Sequence, residues 1–119
     1  MKWWQLAFKI LLSLRTPLIF PLDLRYFIVD SPTILEQAEE LRKYYYTPDT
    51  FDCDDFAWIF KALQNMNQIN SVGFVTGFAF GTMHAWNCAV CNDGVFQIEP
   101  QTGELFKYKK GYFPLLVII

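Results

Sequence analysis

A four-residue segment, Cys91-Asn92-Asp93-Gly94, constrains the fold of this chain more than any other feature. It separates two segments that have the composition of β-strands, 83–90 and 95–100. Asn, Asp and Gly tolerate the positive φ angles that tight hairpin turns require. The segment therefore predicts an antiparallel hairpin, and we take Val90 opposite Val95 as its register.

This register determines which side chains of the hairpin share a face of the sheet. Trp86 then lies opposite Glu99, and His84 lies opposite Gln101. Because side chains alternate along a strand, all four residues point to the same side. The only histidine of the chain has a carboxylate diagonally across and an amide directly across. Either group could hold the imidazole in one tautomer.

The other elements follow from apolar periodicity and capping residues. We expect an N-terminal helix, an extended segment at 21–30 and a helix that Ser31 caps with Pro32 in its first turn. A further helix runs from Cys53 to Asn67, capped by Asp52, and two or three more strands follow. The apolar stripe of that helix is Phe56, Ile59, Phe60, Leu63 and Met66. Residues 1–119 thus form one domain of the α+β class, with N-terminal helices packed on a small antiparallel sheet.

Charge and cysteine content limit the classes of function. The net charge of −2 argues against non-specific nucleic-acid binding, which needs many Lys and Arg side chains. Three cysteines without disulfide spacing indicate a reducing compartment, such as the cytoplasm. The apolar N-terminal segment is interrupted by Lys9 and Arg15, so we expect a helix packed on the core. Contact of this segment with a membrane surface or with a partner is the alternative.

Cys53 stands between Asp52 and the pair Asp54-Asp55, at the start of a predicted helix. The helix dipole lowers the pKa of a thiol at this position, whereas nearby carboxylates raise it. Asp54 and Asp55 are also the acids that commonly stabilise the first turn of a helix. The segment alone therefore fits either a reactive thiol or an ordinary acidic helix start.

Three motifs in order resemble papain-like cysteine peptidases. They are "DCDDFA" at a helix start, "HAWN" on one strand and "IEPQTGE" on the next. The resemblance is closest to the protease domain of the fungal galactose-binding agglutinin, and transglutaminase-like cysteine peptidases share the first motif. It implies a papain-like fold and a cysteine peptidase, or another amide- or isopeptide-cleaving acyl-transfer enzyme, that acts on a protein or peptide substrate.

The resemblance also implies roles for individual residues. Cys53 would be the nucleophile, His84 the general acid and base, and Glu99 the residue that orients it. The glutamine that papain-like enzymes place before the nucleophile is missing from "YYYTPDT", which leaves Tyr46 or Thr47 as oxyanion donors. Gln101 is a second candidate for orienting His84.

No cofactor is required by this assignment, but the agglutinin domain it resembles is activated by divalent cations. The resemblance therefore implies that Asp54 and Asp55, or Glu99, could bind calcium or manganese. Carboxylate oxygens are suitable ligands for both ions.

Two alternatives to a peptidase remain open from the sequence. One is a catalytically inactive papain-like module that binds or inhibits a partner, because the oxyanion glutamine is absent. The other is a zinc-binding domain in which His84, Cys88, Cys91 and Cys53 supply four ligands. On a regular strand Cys88 and Cys91 point to opposite faces, which argues against the zinc site.

Overall fold

The computed structural model describes all residues, 1–119. The chain forms one six-stranded sheet with helices packed on both of its faces. The elements in chain order are α1 (Trp3–Leu14), β1 (Leu18–Phe20), α2 (Ser31–Glu36), a 3₁₀ helix (Gln37–Lys43), α3 (Cys53–Met66), β2 (Val72–Ala79), β3 (Thr82–Cys91), β4 (Gly94–Glu99), β5 (Glu104–Phe106) and β6 (Tyr112–Ile118).

The predicted hairpin is present, and its register is the predicted one. Val90 pairs with Val95, and Cys91 pairs with Gly94 across the two-residue turn. Gly94 has a φ of 146°, which a residue with a side chain rarely adopts. The local turn chemistry therefore determines how β3 and β4 align, as the sequence predicts.

The sheet itself differs from the predicted antiparallel arrangement. Its strand order is β1-β6-β2-β3-β4-β5, and the edge strand β1 runs parallel to β6, so the sheet is mixed. Leu18 pairs with Leu116, near the other end of the chain, and no local pattern reports such a pairing. The segment 21–30, which is predicted to be extended, forms no strand; its one pairing is a single bridge between Arg25 and Lys2.

Two hydrophobic cores lie on opposite faces of the sheet. On the first, which we call the α1 face, Leu6, Ile10 and Leu14 of α1 pack against the sheet, as predicted for the N-terminal helix. The second, the α3 face, carries α2, the 3₁₀ helix and α3. Trp86 is fully buried on the α1 face, whereas Ala85 packs on the α3 side.

Helix α3 begins at Cys53 after Asp52, as predicted, and the Asp52 N–H donates to Asp55 Oδ2 at 3.1 Å. The predicted apolar stripe is partly wrong, because Met66 is 75% exposed. Lys61 and Gln64 are buried instead. Each polar head donates to a backbone carbonyl, Lys61 to Val72 and Gln64 to Ile34, and these bonds offset the cost of burial.

The start of α2 is also different from the prediction. Asp30 occupies the N-cap position, and Ser31 is the first helical residue. The backbone N–H and the hydroxyl of Ser31 both donate to Asp93, in the β3–β4 turn. The acceptor at the start of α2 is therefore the distant side chain of Asp93. The sequence predicts instead that Ser31 caps this helix.

Candidate functional site

A pocket of about 380 Å³ opens at one end of the sheet, where β3, β5 and β6 begin and β2 and β4 end. We call it the end pocket. Its lining combines aromatic, acidic, basic and amide side chains: Ala79, Phe80, Thr82, Met83, His84, Glu99, Gln101, Thr102, Glu104, Lys109 and Tyr112.

Glu99 is the centre of the polar network in this pocket. Its Oε2 lies 2.6 Å from His84 Nε2 and accepts a hydrogen bond of 3.1 Å from the Tyr112 hydroxyl. Burial and the charge of Glu99 raise the pKa of Tyr112 to about 12, so its hydroxyl stays protonated and donates. The other oxygen of Glu99, Oε1, is buried and has no hydrogen-bond partner.

Aromatic rings hold this network in place from the α1 face. The His84 ring stacks on Trp86 with centroids 5.6 Å apart, and Tyr112 contacts both rings edge-on. Trp86 is in turn anchored, because its indole N–H donates to Gln97 Oε1 at 2.8 Å. The orientation of His84 is therefore determined by packing as well as by Glu99.

The rim of the end pocket is apolar on one side and charged on the other. Phe80 is 71% exposed and Met83 is 62% exposed, next to the tight turn between β2 and β3. Across the pocket, Lys109 Nζ lies 2.7 Å from Glu104 Oε2. The pocket therefore offers an exposed apolar surface beside several hydrogen-bonding groups.

The structure brings together some of the predicted site residues and separates others. His84, Glu99 and Gln101 line the end pocket, and His84 pairs with Glu99 rather than with Gln101. Cys53 does not line this pocket, and no hydrogen bond joins it to His84. It packs beside Ala57, Phe74 and Ala85 on the α3 side of the sheet.

The surroundings of Cys53 disfavour the thiolate. Partial burial raises the pKa of the Cys53 thiol, and the charges of Asp52 and Asp54 raise it further. A backbone hydrogen bond from Ala85 opposes these effects but does not reverse them. A nucleophilic thiol needs the opposite shift.

Tyr46 and Thr47, the predicted oxyanion donors, lie in the exposed loop before α3. Thr47 and Phe51 exchange backbone hydrogen bonds of 2.7 and 2.8 Å, and the Thr47 hydroxyl is 3.5 Å from the carbonyl of Tyr45. Neither residue lines the end pocket.

Three carboxylates cluster around the start of α3. Oxygen atoms of Asp52, Asp54 and Asp55 all lie within 4.8 Å of one another, a spacing that fits a hard cation such as calcium or manganese. Asp55 also accepts the N–H of Asp52 in the helix cap. Metal binding by Asp54 and Asp55 stays a prediction; Glu99 lies apart from the cluster, in the end pocket.

The zinc alternative is contradicted by the position of the cysteines. Cys88 belongs to the core of the α1 face and Cys91 to the core of the α3 face. Burial raises the pKa of both thiols to about 12. Thiols on opposite sides of a sheet cannot share one metal ion, so both act as small buried apolar residues.

Several residues of the end pocket were not predicted. Tyr112, Glu104 and Lys109 come from β5, β6 and the loop between them, and Phe80 comes from the β2–β3 turn. Alternation in β6 places Tyr112 on one face, but only the pairing of Ala79 with Tyr112 brings it beside β2. No sequence signal indicates that pairing.

This chain is similar to known proteins in its structure, and no similarity is found at the level of sequence families. No protein-family model matches the chain, and no curated protein matches it. A PSL1a–E64 complex, in which PSL1a is a Polyporus squamosus lectin, has a TM-score of 0.84 at 23% identity over 100% of this chain and 50% of that one. Polyporus squamosus lectin bound to the human-type influenza-binding epitope Neu5Acα2-6Galβ1-4GlcNAc has a TM-score of 0.79 at 22% identity over 95% and 46%. The chain spans about half the length of these lectin chains, and the likeness establishes the fold.

These neighbours overturn the family and the fold predicted from the short motifs. The fold matched is that of a lectin structure, so the assignment to papain-like peptidases is corrected, together with its cysteine-peptidase activity and its inactive-module variant. The motifs misled because each has a structural cause. "DCDDFA" is an acidic helix start, and the pairing of His84 with Glu99 follows from the hairpin register.

The predicted partners are corrected for the same reason. The lectin neighbour is bound to a glycan and not to a peptide, so the predicted protein or peptide substrate is corrected. The predicted membrane-surface contact of the N-terminal segment is corrected as well, because Leu6, Ile10 and Leu14 of α1 pack on the core. No helix has the length and apolarity needed to cross a membrane.

Proposed function

We propose that this domain binds carbohydrate in the end pocket. The observation that carries the proposal is the combination, in one pocket, of the Glu99–His84–Tyr112 network with the exposed apolar side chains of Phe80 and Met83. A sugar ring presents hydroxyl groups around its edge and C–H groups on its faces. Its recognition therefore requires directed polar groups beside an apolar surface, and the end pocket has both.

The size and polarity of the pocket support this proposal. About 380 Å³ lies in the range of small-molecule sites, in which a few polar groups fix the orientation of the ligand. Gln101 offers an amide donor and acceptor, and Thr102 adds a hydroxyl. Glu99 is held by two hydrogen bonds before any ligand arrives, so little ordering of this acceptor is needed on binding.

The fold neighbours add a second kind of support. One of them is a lectin bound to a sialylated trisaccharide, over a chain about twice as long as this one. Binding by that whole protein is a reason to test glycans here.

The test is titration of the full chain with a panel of neutral and acidic oligosaccharides, followed by NMR or calorimetry. We expect saturable binding that Phe80→Ala weakens about tenfold, because loss of an aromatic contact costs about 1 kcal/mol or slightly more. Phe80 is exposed, so the variant should remain folded.

Phe113→Ala is the matched control. Phe113 is an aromatic residue of similar exposure, 62%, but it lines a different groove. Equal weakening by both variants would show that the end pocket is not the site. Absence of binding to every glycan at millimolar concentration would contradict the proposed function itself.

A further inference from the structure

The charges of the end pocket carry an inference about which sugars it accepts, and this inference rests on the proposed function. Two carboxylates line the pocket, Glu99 and Glu104, and the only lysine or arginine among its lining residues is Lys109. A bound carboxylated sugar would therefore need Lys109, or a protonated His84, to compensate its charge.

Both of these groups are already engaged. Lys109 Nζ is paired with Glu104 Oε2 at 2.7 Å, and His84 Nε2 lies 2.6 Å from Glu99 Oε2. A carboxylate that entered the pocket would face two acids, and the only lysine of the pocket is already paired with one of them. Like charges placed together without a free counter-charge cost several kcal/mol in protein recognition.

The remaining polar groups suit an uncharged, hydroxyl-rich ligand. Gln101 and Thr102 supply neutral groups that both donate and accept. None of these groups requires a charged partner.

We propose that the end pocket selects neutral sugars and rejects sugars that carry a carboxylate, such as sialic acid. The selection is made by the Glu99 and Glu104 carboxylates, which are paired within the pocket and leave no cation free. The ligand class thus differs from the sialylated epitope in the lectin neighbour.

Two matched ligands test this selection directly: Galβ1-4GlcNAc and the same disaccharide extended by α2-6-linked Neu5Ac. We expect the full chain to bind the neutral disaccharide at least about tenfold more tightly, because the added sugar brings a carboxylate to an acidic site. Glu104→Gln removes one acid and frees Lys109, so this preference should fall by at least about threefold.

Glu40→Gln is the control variant, because Glu40 also pairs with a lysine, Lys43 at 3.3 Å, but lies outside the end pocket. It should leave the preference unchanged. Equal or tighter binding of the sialylated ligand would overturn the inference and leave the proposed function standing. Failure of the protein to bind either ligand, or any other glycan, would overturn both.

Discussion

The α3 face and the end pocket satisfy their buried polar side chains in different ways. On the α3 face, Lys61, Gln64 and Asn87 each donate to backbone carbonyls. Around the end pocket, side chains bind one another: His84 and Tyr112 bind Glu99, and the adjacent Trp86 binds Gln97. Away from the pocket on the α1 face, Tyr26 donates to the backbone carbonyl of Ile119, as the side chains of the α3 face do.

This difference separates structural from functional polar groups. A side chain that binds a neighbouring backbone joins two elements and has little capacity left for a ligand. Asn87, for example, joins α3 to β2 through the carbonyls of Ala57 and Gly73. A network of side chains that opens into a pocket can instead be arranged for recognition, and buried networks of this kind are sensitive to the loss of any member.

The largest expected effect is that of Gly77→Ala, on the α1 face opposite His84. A Cβ atom at this position would lie 2.1 Å from the carbonyl oxygen of Phe113, so β6 would have to move. We expect a loss of about 3 kcal/mol in the free energy of unfolding, the cost of severe overpacking. Denaturant unfolding measures this loss, and glycan titration should show weaker binding because Tyr112 lies on the displaced strand.

Gly81→Ala is the control for this substitution. Gly81 has a φ of 80°, but nothing lies within 4 Å of a Cβ placed there. Its cost should therefore be limited to backbone strain, about 1 kcal/mol. If both variants lose the same stability, close packing of β2 against β6 is not what requires a glycine at position 77.

A pair of smaller substitutions compares the two faces directly. Asn87→Ala removes two hydrogen bonds to backbone, and Gln97→Ala leaves the buried indole N–H of Trp86 unpaired. Each should cost about 2 kcal/mol of unfolding free energy, because buried polar groups lose their partners.

Their effects on binding should differ, although their effects on stability are similar. Gln97→Ala frees Trp86, against which His84 stacks, so glycan affinity should fall by about threefold or more. Asn87→Ala acts on the other face and should leave affinity unchanged. Equal weakening of binding by the two variants would show that the faces do not differ in function.

The structural features that depend on local chemistry could be predicted from the sequence. Turn residues at 92–94 fix the register of β3 and β4, and with it the juxtaposition of His84 and Glu99. An aspartate before an apolar run marks the start of α3. In both cases neighbouring residues carry the information.

The parts that depend on distant pairing could not be predicted. The parallel contact of β1 with β6 and the place of Tyr112 beside β2 join segments far apart in the chain. The family assignment was wrong for a related reason: a few short motifs report local geometry, whereas the fold is determined by how all six strands pair.

The smallest expected effect concerns the three carboxylates at the start of α3. Oxygen atoms of Asp52, Asp54 and Asp55 lie within 4.8 Å of one another, so their negative charges repel. Hydrogen bonding and repulsion from Asp54 raise the pKa of Asp52 from 3.8 to about 6. Between these values the folded chain holds a proton that the unfolded chain has lost, so stability falls as the pH rises from about 4 to about 6. Asp54→Asn removes the largest of the causes, so it should reduce this decline and raise the melting temperature at neutral pH. Asp49→Asn, in the exposed loop before α3, should retain the decline. Melting temperatures across this pH range decide between them, and a decline that persists undiminished in Asp54→Asn would mean that Asp54 does not set the titration of Asp52.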